Sequence, residues 1–104
     1  MKTFQSKTVL VTGASSGIGE AFSNQFAEAG ANLVLVARSE DQLQKLSQNL
    51  QQKFSIECYV IVLDLSKENA AKELFEKTNS MNLEIDVLVN NAGFGKIGDF
   101  TEYN

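Results

Sequence analysis

The chain has 104 residues, 13 acidic against 9 basic side chains, a net charge of −4 and 43% hydrophobic residues. That suits one domain with a real core and excludes a disordered polyelectrolyte or a basic nucleic-acid binder. No apolar run approaches the roughly 18 residues of a membrane span, and no basic-then-apolar leader opens the sequence. The single cysteine excludes an internal disulfide, and the absence of histidine removes the commonest general base and zinc ligand. A soluble, cytoplasmic α/β domain is expected, without metal, membrane or nucleic-acid partner.

Apolar, β-branched runs at residues 7–12, 32–37, 57–63 and 85–90 read as strands. They are nearly all apolar rather than alternating, as strands covered on both faces are. After the first run comes Thr12-Gly13-Ala14-Ser15-Ser16-Gly17-Ile18-Gly19, which leads into a helical pattern. Backbone this slim allows a tight turn and the close approach of a pyrophosphate, held by the free N–H groups of the helix start. The spacing is GxxxGxG, and no lysine follows the last glycine, so a Walker A loop is excluded. Ile18, Phe22, Phe26 and Ala29 then fall on one helix face, the expected buried stripe, and Gly30 is the expected stop.

The second strand ends Val36-Ala37-Arg38. Where a carboxylate would take a ribose 2′-hydroxyl, Arg38 offers a guanidinium suited to a 2′-phosphate, so NADP(H) is preferred over NAD(H). A plain exposed arginine is the alternative. Ser39 with Gln42 reads as a capping box for a helix buried through Leu43, Leu46 and Leu50.

Cys58, in the third strand with no cation or second thiol beside it, reads as inert. Asp64 ends that strand and could accept the exocyclic amine of adenine, or cap the helix expected after Ser66. That helix is expected to pack through Ala70, Ala71, Leu74 and Phe75. The fourth strand ends in Asn90-Asn91-Ala92-Gly93, whose amides can pin neighbouring loops beside a nucleotide. Phe94, Phe100 and Tyr103 follow, either lining a pocket or covering the sheet end.

The alternation implies a Rossmann-like, doubly wound parallel α/β sheet of order 3-2-1-4. The glycine clusters after the first and fourth strands then share one crevice at the topological switch point.

Taken in order, the residue 12–19 stretch, Asp64 and Asn90-Asn91-Ala92-Gly93 resemble the short-chain dehydrogenase/reductase family, over the whole chain. The resemblance implies cofactor binding by Gly13, Ser15, Ser16, Gly17, Ile18 and Gly19. It implies adenine contact by Asp64 and Leu65, and ribose or nicotinamide-side contact by Asn91, Ala92 and Gly93. Arg38 looks like the NADP-preferring branch, while Thr12 and Asn90 would fix the sheet. Family members reduce carbonyls or oxidise alcohols with an asparagine, a serine and a Tyr-x-x-x-Lys pair beyond the fourth strand. Here Tyr59 is followed four residues on by Leu63, and Tyr103 by one residue. No catalytic residue is assignable, so residues 1–104 are expected to be the NADP-binding part of a larger reductase, inactive alone. Self-association through the fourth-strand edge is expected.

The sequence leaves two other readings open. A receiver-like signalling domain also ends its third strand in aspartate, but needs carboxylates after the first strand that Val11-Thr12-Gly13 does not supply. A stand-alone, non-catalytic nucleotide-binding or redox-sensing module is the other.

Overall fold

A computed structural model describes residues 3–91. Its elements alternate as β1 (Thr8–Thr12), α1 (Gly17–Glu28), β2 (Asn32–Ala37), α2 (Glu40–Phe54), β3 (Cys58–Val62), α3 (Ala70–Ser80) and β4 (Val87–Asn90). The strands form one parallel sheet in the order β3-β2-β1-β4. Strand existence, order and direction match the expectation, the ends differing by one or two residues.

Alternate side chains of each strand enter opposite layers, as the pleat requires. Val9, Val11, Leu33, Leu35 and Ala37 pack with Leu43, Leu46 and Leu50 on the side of α1 and α2. Leu10, Val34, Val36 and Ile61 pack with Ala70 and Leu74 on the side of α3. This double cover explains why β1 and β2 read as continuous apolar runs. Leu10, Leu33, Leu35, Leu43, Leu50 and Leu74 are fully buried, and each contributes about 1.5–3 kcal/mol.

Three local expectations need correction. The buried face of α1 is Gly19, Ser23 and Ala27, while Ile18 is 65% and Phe22 38% exposed. The stripe of small residues brings α1 close to the sheet, and the large apolar residues stand one position off it. Phe26 does pack, edge-on against Phe4 with ring centroids 5.1 Å apart.

At α2, Ser39 occupies the cap position but its side chain makes no capping bond. Glu40 and Asp41 complement the helix dipole in the first turn instead. Finally, α3 starts at Ala70 rather than just after Ser66, because residues 64–69 close their own turns. Lys67 N–H donates to the Asp64 carbonyl at 3.2 Å, and Asn69 adopts a left-handed backbone at φ 66°.

Candidate nucleotide site at the sheet's carboxyl end

Parallel pairing sets Thr12 beside both Val36 and Asn90, and Ala37 beside Val62, so all four following loops leave the same edge. The loop after β1 is held from within. Gly13 has φ 62°, a left-handed conformation that disfavours a side chain, and Ala14 N–H donates to the Val36 carbonyl at 3.1 Å. A Cβ on Gly19 would lie 2.2 Å from the Gly13 carbonyl oxygen, so α1 can only sit this close with glycine there.

Ser16 organises the helix start. Its Oγ donates to the Gly13 carbonyl at 2.9 Å and accepts from Gly19 N–H at 3.0 Å. It also accepts from Asn91 Nδ2 at 2.8 Å, while the same amide donates to the Gly13 carbonyl at 3.1 Å. Asn91 therefore straps the end of β4 to the loop after β1. Thr12 Oγ1 likewise donates to Asn90 Oδ1 at 3.2 Å and the Val89 carbonyl at 3.3 Å, the sheet-fixing role expected of that pair.

Two features of this loop have no use among the described residues. The N–H groups of Gly17 and Ile18 find no partner among the described residues. A Cβ on Gly17 would meet nothing within 4 Å, and its φ needs no glycine. Open space beside unpaired amides at the positive end of a helix is what a diphosphate requires. The residues present fit such a group.

Arg38 follows β2 directly and is exposed. Asp64 Oδ1 accepts from Ser66 Oγ at 2.7 Å and Ser66 N–H at 3.0 Å, so it caps a two-residue turn, not α3. The Ser66 hydroxyl and N–H, and then the Arg38 and Lys67 charges, hold its carboxyl below the ordinary aspartate range. Leu65 buries its side chain in the α3-side core, leaving only its backbone for a ligand. Ala92, Gly93, Phe94, Phe100 and Tyr103 lie outside the described residues.

Burial pushes the Cys58 thiol up to about 11, against the pull of Ser47, in keeping with an inert group. Tyr59 sits on β3, an edge of the sheet among the described residues, its hydroxyl donating to Glu57 Oε1 at 2.9 Å. Among the described residues no helix is long and apolar enough to cross a membrane.

Sequence reasoning missed a groove of about 320 Å³ lined by Ser15, Glu20, Gln42, Lys45, Leu46 and Asn49. Its signal was present, since the α2 residues stand at i, i+3, i+4 and i+7, one face of the helix.

The short chain dehydrogenase family model matches residues 7–104. The chain belongs to that family. It is 38% identical over 94 residues to a very-long-chain 3-oxoacyl-CoA reductase of Mus musculus, covering 90% of this chain and 29% of that protein. An 11-beta-hydroxysteroid dehydrogenase of Pinus massoniana is 42% identical over 91 residues, covering 88% of this chain and 26% of its own length. Among solved structures, L-sorbose reductase from Gluconobacter frateurii, complexed with NADPH and L-sorbose, superposes with a TM-score of 0.82. Identity there is 36%, over 92% of this chain and 37% of the other. The chain thus spans about three-tenths of the curated relatives it matches.

Proposed function

We propose that residues 1–104 are the nucleotide-binding unit of a reductase that takes NADP(H) and acts on a carbonyl or alcohol substrate. The open space at Gly17, beside two unpaired amides, is the observation that carries this reading. The family membership and the NADPH of the sorbose reductase complex support it.

When bound, NADP(H) supplies or accepts the hydride. Gly17 and Ile18 offer their N–H groups to its diphosphate, and Ser15 its hydroxyl to the phosphorylated ribose. Gly13, Ser16 and Gly19 hold the loop in the shape that receives it. Arg38 pairs with the 2′-phosphate, and the Asp64 carboxylate, with the Leu65 backbone, receives the adenine. Asn91, Ala92 and Gly93 border the ribose and nicotinamide side. No residue of this chain is assigned to proton transfer, and the chain alone is expected to turn over no substrate. The reading places the protein in the cytoplasm, self-associating through β4, which pairs only with β1 among the described residues.

Calorimetric titration of the full chain with NADP⁺ and NAD⁺ tests this. Micromolar or weaker binding is expected, tighter for NADP⁺, with Arg38→Ala reducing that preference about tenfold. Equal affinities for the two would contradict the Arg38 assignment, and binding of neither would contradict the whole reading.

A further inference from the structure

The groove between α1 and α2 adjoins the glycine loop through Ser15. Unlike Ser16, whose hydroxyl makes three hydrogen bonds, Ser15 has no hydrogen-bond partner for its hydroxyl among the described residues. Lys45 and Glu20 line the same groove from opposite helices, yet no ion pair joins them among the described residues. The Arg38 charge, by contrast, is already felt by the Asp64 carboxylate. An anion entering beside Ser15 therefore meets one cation and one carboxylate whose fields are not mutually quenched by contact. Both line the groove that Ser15 borders, and exposed charges act over roughly 8 Å in physiological salt.

We propose that Lys45 and Glu20 tune nucleotide preference as an opposed pair. Lys45 draws the phosphorylated ribose toward Ser15, supplementing Arg38, and Glu20 repels it. The inference rests on the nucleotide reading above and adds two specificity-determining residues to it. Both are exposed, so each acts through its charge and not through packing.

The test is the ratio of NADP⁺ to NAD⁺ affinity in the full chain, measured by calorimetry in low salt. Lys45→Gln is expected to lower that ratio about threefold and Glu20→Gln to raise it by a similar factor, the size typical of exposed charge pairs. Lys45→Arg is expected to keep the wild-type ratio, and added salt to shrink both shifts. A general loss of structure would move both variants in the same direction, so opposite signs are the signature. A ratio that ignores both substitutions, or falls in both, overturns this inference while leaving NADP⁺ binding intact. A wild-type chain that binds neither nucleotide overturns the underlying reading and this inference with it.

Discussion

The loop after β1 and the turn after β3 both leave the same edge of the sheet, and they are held in opposite ways. Around the first, ties from Ala14 to the Val36 carbonyl and from Asn91 to Gly13 and Ser16 reach across the fold, the two Asn91 partners lying 78 and 75 residues away. Around the second, the Asp64 carboxylate bonds to Ser66, two residues on, and its carbonyl to Lys67 N–H, three residues on. The first loop is preorganised, so the two amides left unpaired among the described residues would meet a ligand at little cost in ordering. The second is a local device whose carboxylate stands at the surface. The difference separates the part of the site that fixes position from the part that adds contact.

The sharpest way to break this contrast is within the loop itself. Gly19→Ala places a methyl group against backbone, so a loss of about 3 kcal/mol in urea denaturation is expected. Gly17→Ala meets only open space, and its stability is expected to stay within about 1 kcal/mol of wild type while NADP⁺ binding is lost. Equal destabilisation by the two would dissolve the distinction between a packing glycine and a ligand-facing one.

A smaller effect is expected from cutting the strap. Asn91→Ala removes two hydrogen bonds and should cost about 1–2 kcal/mol. It should also quicken hydrogen exchange at Gly19, whose N–H is held by the hydroxyl that Asn91 fixes. Unchanged exchange there would show that Ser16 holds the helix start without help.

The smallest effect belongs to the turn. Ser66→Ala should raise the Asp64 pKa toward the ordinary aspartate value, read by carboxyl chemical shifts against pH. A carboxyl held low in the folded chain contributes stability above its unfolded pKa, and that contribution is lost as pH falls through the folded value. The window is therefore acidic, below the ordinary aspartate range, and Ser66→Ala should narrow it. A pKa that does not move would mean that the residue 66 N–H and the Arg38 and Lys67 charges, not the Ser66 hydroxyl, govern this carboxylate.

The sheet was legible because double cover leaves a direct mark: the buried stretches Val9–Val11 of β1 and Leu33–Ala37 of β2 are apolar whichever face each side chain enters. The glycine loop was legible for a similar reason, since few other residues tolerate φ 62° at Gly13 or the backbone contact at Gly19. The buried face of α1 was not, because periodicity was counted on large apolar residues, whereas close packing selected Gly19, Ser23 and Ala27. Ser39 looked like a cap on spacing alone, which carries no information on its side-chain rotamer. The strap was half legible: paired amides at the end of β4 suggested loop pinning, but only the fold brings Asn91 to Ser16. The groove went unnoticed because Lys45 and Glu20 are ordinary surface residues until α1 and α2 lie side by side.

If the amides of Gly17 and Ile18 are kept for a ligand, its arrival must be felt there first. Titrating NADP⁺ into the full chain while following its backbone amide resonances tests it most directly. Gly17 and Ile18 are expected to show the largest shifts at the lowest nucleotide concentrations, with Gly19, already bonded to Ser16, shifting less. Shifts gathered at the far edge of the sheet, with Gly17 and Ile18 unmoved at saturation, would contradict it.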